Sequence, residues 1–178
     1  MIPGSRIVWL PLTGIAVSLP AQALVYLSVE QAQQLMFGQQ ALTAVPLLLT
    51  PPQIAAIEQR SGVKVYAGVL RVWKADDGGY FFTDAVVGKH DLINYALALT
   101  ADGKVRQLEI LEYREAYGGE IRNARWRAQF NGKQAADPVQ IGRDIQNISG
   151  ATLSSQHVTD GVRRVLATYA IAIANTDH

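Results

Sequence analysis

The sequence contains no cysteine. This absence excludes disulfide bonds, thiolate zinc sites, iron–sulfur ligation by the chain and cofactors joined through a thioether. The sequence also lacks an excess of charge of one sign. It has 16 lysines and arginines and 15 aspartates and glutamates, for a formal net charge of +1. Proteins that bind nucleic acid carry a clustered basic face, so this balance argues against a nucleic-acid partner.

Motifs for common catalytic machinery are also missing. The three histidines are scattered, and none has the paired spacing of a metal site. Ser154, His157 and Asp160 lie too close along the chain to form a nucleophilic triad. No Gly-x-Gly-x-x-Gly nicotinamide motif occurs. The chain therefore shows little sign of being a stand-alone enzyme.

The N-terminus has the plan of a secretory signal peptide. Arg6 precedes an apolar run at residues 7–19, and a small-x-small site ends at Ala23. This run is shorter than the roughly 20 residues that a membrane helix needs. We predict a signal peptide at residues 1–23 and a single domain at residues 24–178, in the periplasm or otherwise exported, with membrane association open. A buried N-terminal segment and an uncleaved anchor are the alternatives.

Two short helices are predicted near the start of the domain. Ser28 and Gln31 form a capping-box pattern, which favours a helix start. Thr50 and Gln53 repeat this pattern with a proline suited to the first turn, and Gly62 is expected to end that helix.

Strand patterns dominate the middle of the chain, and a long amphipathic helix is predicted from Ser155 onward. A short helix is expected at residues 123–130. Helices, then strands, then a helix indicate the α+β class, with the two short N-terminal helices and the long C-terminal helix packed on an antiparallel sheet. The predicted strands begin with the alternation from Val63 to Leu70 and continue at residues 80–87, 93–99 and 105–113.

The segment before the last helix suits an anionic ligand. It runs through Ser149, Gly150, Ala151 and Thr152, and Ser154 or Ser155 is expected to cap the helix. Unpaired amides and the positive end of the helix dipole favour a phosphate there. From these residues alone, a simple capping loop is the alternative.

This segment, with Leu153 and the two serines after it, resembles the attachment motif of the FMN-binding domain family. That family includes the C subunit of the sodium-pumping NADH:quinone reductase, the G subunit of the Rnf complex and free-standing exported proteins. The likeness runs in order over roughly residues 28 to 170. Its further points are Val87-Gly88-Lys89-His90, Tyr113-Arg114-Glu115, Gly118-Gly119-Glu120, Trp126, Phe130-Asn131-Gly132-Lys133 and Val162-Arg163-Arg164.

The resemblance implies FMN as cofactor. In the family a flavin transferase joins the FMN phosphate to the last threonine of the motif, which is Thr152 here. Polar turns or, for Trp126 and Phe130, core packing are the alternatives for the residues outside the motif. The residues that the motif and the resemblance together place near FMN are Thr152, Ser149, Gly150, Ala151, Ser154, Ser155, Glu115, Gly118, Gly119, Lys89, His90 and Lys133.

The function implied is an electron-transfer module outside the cytosol. A flavin transferase would mature it, and a membrane-bound cytochrome or quinone-linked complex would exchange electrons with it. Gln146 stands where the family usually has an aspartate, three residues before Ser149. This departure favours an alternative, a non-covalent FMN-binding or non-redox interaction module with the same fold.

Overall fold

An antiparallel sheet is the framework of the molecule, of which the computed structural model describes residues 24–89, 91–114 and 118–174. Within these residues the strand order is β1-β7-β6-β5-β4-β2, and β3 also pairs with β4. All of these pairings are antiparallel. The strands are β1 (Leu24–Val25), β2 (Leu42–Ala44), β3 (Leu47–Leu48), β4 (Val69–Ala75), β5 (Tyr80–Val87), β6 (Leu92–Leu99) and β7 (Val105–Tyr113).

The helices confirm the predicted α+β class. The capping box at Ser28 and Gln31 is present, with the Gln31 backbone N–H donating to the Ser28 hydroxyl. The second helix ends at Gly62, which adopts the left-handed conformation at φ 68°. The helices are α1 (Val29–Phe37), α2 (Pro51–Ser61), α3 (Ala124–Arg127) and α4 (Thr152–Ala172), with 3-10 turns at Gly119–Arg122 and Ala128–Phe130.

Successive side chains of a strand point to opposite faces of the sheet. Both sets are apolar here, and helices cover both faces. Phe82 on β5 belongs to the larger cluster, which packs against α4. Its neighbour Phe81 points to the opposite face and packs in the cluster that contains Met36 of α1. The helix α2 packs on α4, where Ile57 shares a smaller cluster with residues of that helix. Thus α4 is held between the sheet and α2.

The prediction of a strand from Val63 to Leu70 was wrong over residues 63–68. That segment has no strand pairing, and β4 begins at Val69. Side chains bind its backbone instead: Glu58 Oε1 accepts from the Val65 N–H at 2.9 Å, and Arg164 donates to the Lys64 carbonyl at 3.1 Å. An alternation of apolar residues indicates which side chains of an extended segment are buried, but it does not indicate whether a partner strand is present.

The turn between β6 and β7 packs against the C-terminal end of α4. Gly103 lies at φ +77°, and a Cβ there would come within 2.2 Å of the Tyr169 ring. The Tyr169 hydroxyl donates to the Ala101 carbonyl at 2.7 Å. The start of β7 is therefore close to the C-terminal end of α4, and the end of β7 is close to its N-terminal end.

Candidate functional site

Thr152 is the first residue of α4, and its side chain is exposed. The chain reaches it through Gly150, which is left-handed at φ +86°, and through Ala151, which is 3% exposed. Ala151 occupies the N-cap position and no side chain caps the helix from it. The prediction that Ser154 or Ser155 caps α4 was therefore wrong, because both lie inside its first turns.

Asn147 links the two hydroxyls at the start of α4. Its Nδ2 donates to Thr152 Oγ1 at 3.2 Å, and its Oδ1 accepts from Ser155 Oγ at 2.7 Å. The Ser155 side chain is buried. One carboxamide thus ties the exposed hydroxyl of Thr152 to a fixed point in the helix. Asn147 was not among the site residues predicted from the sequence, because no local pattern relates an asparagine to a threonine five residues later.

Ser154 joins α4 to the end of the sheet. Its Oγ lies 3.0 Å from the Tyr113 hydroxyl, at the last residue of β7, and the pair is buried. Gly118 closes over this contact, because a Cβ there would lie 2.3 Å from the Tyr113 oxygen and 3.0 Å from Ser154 Oγ. Two predicted site residues, Gly118 and Ser154, are therefore in contact. Gly119 follows as the exposed first residue of a 3-10 turn.

The β5–β6 connection lies at the same end of the sheet. His157, in the second turn of α4, lies with its Nδ1 2.5 Å from the Val87 carbonyl oxygen at the end of β5. The Gly88 N–H donates to the Asp91 carbonyl at 2.7 Å, and Lys89 is exposed. Two other predicted site residues, His90 and Glu115, lie outside the described residues, as does the predicted signal peptide.

Lys133 is placed apart from this group. Its carbonyl accepts from the Val105 N–H at the start of β7, whereas Tyr113 ends that strand about 27 Å away along its axis. Its ammonium pairs with Asp144 at 3.0 Å. Although partial burial raises the pKa of Asp144, hydrogen bonds from Gln140, Lys133 and the Val139 N–H lower it overall.

One cleft lies beside the loop that precedes α4, and a second lies against α4 itself. The first, of about 770 Å³, borders the loop before the helix and includes Asn147. Trp126 is mostly buried in its wall, stacks edge-on with Phe130 at 5.2 Å and donates to the Gln146 carbonyl at 2.8 Å. Gln146 itself is exposed in this cleft. The residues that line it are Glu120, Asn123, Arg125, Trp126, Ala128, Gln129, Gln146, Asn147 and Ile148.

The second cleft, of about 570 Å³, lies between α4, the end of β5 and residues 63–67. Its walls are mainly apolar, and an ion pair between Arg164 and Asp84 at 2.7 Å lies at its base. The buried Tyr95 hydroxyl donates to the same Asp84 oxygen at 2.6 Å. Burial, with the adjacent Asp84 carboxylate, raises the pKa of Tyr95 well above its usual range. This cluster ties α4 to β5 and β6.

The start of α4 has the donors that a phosphate group requires. The amides of Thr152, Leu153 and Ser154 occupy the first turn of a 21-residue helix whose N-cap residue supplies no side-chain acceptor. The helix dipole adds positive potential at this end. An exposed threonine hydroxyl at an uncapped helix start therefore fits a phosphate-bearing group such as FMN.

Comparison with known proteins agrees with this geometry. Residues 88–167 match the family model of the FMN-binding domain. No curated protein sequence matches the chain. Among solved structures, the fold is similar to the C subunit of the Na⁺-translocating NADH-quinone reductase from Parabacteroides distasonis, with a TM-score of 0.53, 14% identity, and coverage of 83% of this chain and 86% of that one. The family match over residues 88–167 agrees with the resemblance predicted from the sequence motifs, and FMN is the cofactor that an FMN-binding domain indicates.

Proposed function

We propose that this chain is an exported electron-transfer flavoprotein that carries FMN as a phosphoester on Thr152. The observation that carries the proposal is the exposed Thr152 hydroxyl at the uncapped start of α4. An N-cap side chain contributes about 1 kcal/mol to a helix, and here that contribution is missing. A phosphate bonded to Thr152 Oγ1 would bring anionic oxygens to the free end of the helix, where the first-turn amides point.

The small residues before Thr152 support access to this position. A Cβ added at Gly150 would meet no atom within 4 Å, so the backbone there is open to a bulky group. Ala151 is buried and anchors the segment, and Asn147 holds the Thr152 side chain from the cleft side. The protein would thereby fix one end of FMN and leave the orientation of its ring to the surrounding side chains.

An electron-relay role fits the side chains at this end of the sheet. Bound FMN supplies the redox chemistry, and the protein supplies binding, orientation and electrostatics. The described contacts at the site, between Tyr113, Ser154 and Gly118 and between Asn147 and Thr152, hold backbone and hydroxyls in place. Rigid placement of this kind suits a relay, which needs a fixed cofactor and a surface for its partner.

Export and a membrane-bound redox partner complete the proposal. The N-terminal pattern of a basic residue, a short apolar run and a small-x-small site supports export. A covalent bond would prevent loss of the cofactor outside the cytosol. Among the described residues, no helix has the length and apolar character needed to cross a membrane. We infer a flavin transferase as the maturation partner and a membrane-bound cytochrome or quinone-linked complex as the electron partner.

Mass spectrometry of protein produced together with a flavin transferase tests the attachment. We expect a mass increase of one FMN less one water, and peptide mapping should place it on Thr152. Thr152→Val should abolish the adduct, because valine has a similar shape and no hydroxyl. Thr43→Val is the matched control, since it makes the same change at an exposed threonine outside this segment. An unmodified wild type, in cells that modify a control protein, would reject the covalent form.

Gln146 favours a second candidate, in which the domain binds FMN without a covalent bond or serves as an interaction module. Its backbone is held on both sides, by Gln129 Oε1 at 2.8 Å and by the Trp126 indole, while its side chain borders the same cleft as Asn147. A neutral side chain thus stands beside the attachment segment where the family usually has an acid. Flavin incorporation that appears only in Gln146→Asp would support this candidate over the first.

A further inference from the structure

We propose that Asn147 is a positioning residue that orients the Thr152 hydroxyl for flavin transfer. This inference rests on the proposed attachment of FMN to Thr152. It adds a residue outside the Ser-Gly-Ala-Thr segment to the modification site. It also predicts that this residue must be a hydrogen-bond donor.

The geometry gives Asn147 two distinct contacts. Its Nδ2 donates to Thr152 Oγ1 at 3.2 Å, and its Oδ1 accepts from the buried Ser155 hydroxyl at 2.7 Å. Ser155 is itself fixed, because its hydroxyl lies 3.0 Å from the Thr152 carbonyl and its N–H donates to the Ala151 carbonyl at 2.8 Å. The carboxamide therefore orients the Thr152 side chain against a rigid reference.

The direction of the hydrogen bond matters for the chemistry. A hydroxyl has one hydrogen and two lone pairs. Because Asn147 donates to Thr152 Oγ1, one lone pair is engaged and the hydroxyl hydrogen points elsewhere. The second lone pair stays available for bond formation at phosphorus. After transfer, Oγ1 has no hydrogen but can still accept, so the same contact with Asn147 persists in the product.

The transfer step balances as a phosphoryl substitution without electron transfer. A bond forms between Thr152 Oγ1 and the FMN phosphorus, and the hydroxyl proton passes to the transferase or to water. Ester formation from free FMN would have to expel water in aqueous solution, so the donor must carry an activated phosphate. With a flavin dinucleotide as the donor, the pyrophosphate bond breaks, and a nucleoside monophosphate leaves with the electron pair.

Aspartate at this position would fail for a defined reason. A carboxylate accepts hydrogen bonds and donates none. It could still accept from Ser155, but it could contact Thr152 only while the hydroxyl keeps its hydrogen. Once the ester forms, the carboxylate would face an oxygen without a hydrogen and an adjacent phosphate of like charge. Asn147→Asp therefore keeps the size and the Ser155 contact, but removes the donor and adds a negative charge.

The test measures initial rates of flavin incorporation with purified transferase and flavin dinucleotide. We expect kcat to fall about tenfold in Asn147→Ala, as for the loss of one hydrogen bond that acts in the transition state, and further in Asn147→Asp. KM for the protein substrate should stay within about twofold, because the bond acts on the reacting oxygen and not on docking. Asn131→Ala, at an exposed asparagine outside the site, is the control and should match the wild type.

Thermal midpoints, recorded on the same samples, separate positioning from folding. An unchanged midpoint in Asn147→Asp with a reduced rate supports the inference. Wild-type rates in both Asn147→Ala and Asn147→Asp would overturn it while leaving the proposed function standing. A wild type that takes up no flavin would overturn the proposed function, and this inference with it.

Discussion

Gly118 is the residue where a single methyl group should most clearly disrupt the site. A Cβ at this position would lie 2.3 Å from the Tyr113 oxygen and 3.0 Å from Ser154 Oγ, and the backbone is at φ +95°. Forcing an extra carbon into a packed region costs about 1–3 kcal/mol, and a left-handed backbone costs a non-glycine residue roughly 1–2 kcal/mol. Gly118→Ala should therefore lose about 2–5 kcal/mol of unfolding free energy, or about 6–15 °C in midpoint for a chain of this length.

The control for this substitution is the next residue. A Cβ at Gly119 meets no atom within 4 Å, so Gly119→Ala should change the unfolding free energy by less than about 0.5 kcal/mol. Urea unfolding of both variants gives the comparison. Adding Tyr113→Phe to Gly118→Ala removes the oxygen that the new methyl meets and should restore part of the loss. If Gly118→Ala is as stable as Gly119→Ala, the contact between this loop and α4 is wrong.

Three further predictions concern the charged groups. Tyr95→Phe should lose about 0.5–1.5 kcal/mol of unfolding free energy at neutral pH. Because the raised pKa keeps the Tyr95 phenol neutral in the folded state, its contribution to stability should be fully present below pH ~10 and be lost above it, so the wild type should lose stability with pH more steeply than the variant. Urea unfolding of both proteins at neutral pH and above pH ~10 would show this difference. Arg164→Met should lose about 3–5 kcal/mol of unfolding free energy, since the Asp84 carboxylate would stay buried without a positive charge beside it, and an unchanged urea midpoint would contradict this. Lys133→Met should remove the ion pair with Asp144, at a cost below about 1 kcal/mol, and leave flavin incorporation at the wild-type rate; a slower rate would place Lys133 at the cofactor after all.

Local signals predicted the parts of the fold that depend on a few neighbouring residues. The capping boxes at Ser28 and Thr50 and the helix stop at Gly62 are set by side chains or backbone angles within one turn. Strand β5 was predicted at residues 80–87 because its apolar positions are bounded by clear turns. These features require no knowledge of distant partners.

Long-range contacts account for what the sequence did not reveal. The segment from Val63 has the alternation of a strand, yet side chains of Glu58 and Arg164 bind its backbone, and the second of these lies 100 residues away. The start of α4 was misplaced by three residues, because the N-cap position is occupied by Ala151, which has no capping side chain, and not by a serine. The contact of Tyr113 with Ser154 likewise joins residues 41 positions apart. Composition indicated none of these pairs.

The central claim is that Thr152 carries FMN through a covalent bond, and denaturing precipitation of the purified, matured protein tests it most directly. The visible absorption of pellet and supernatant is compared for the wild type and Thr152→Val. We predict a yellow pellet for the wild type and a colourless pellet for Thr152→Val. Flavin that stays in the wild-type supernatant, or a pellet equally yellow in Thr152→Val, would contradict attachment at Thr152.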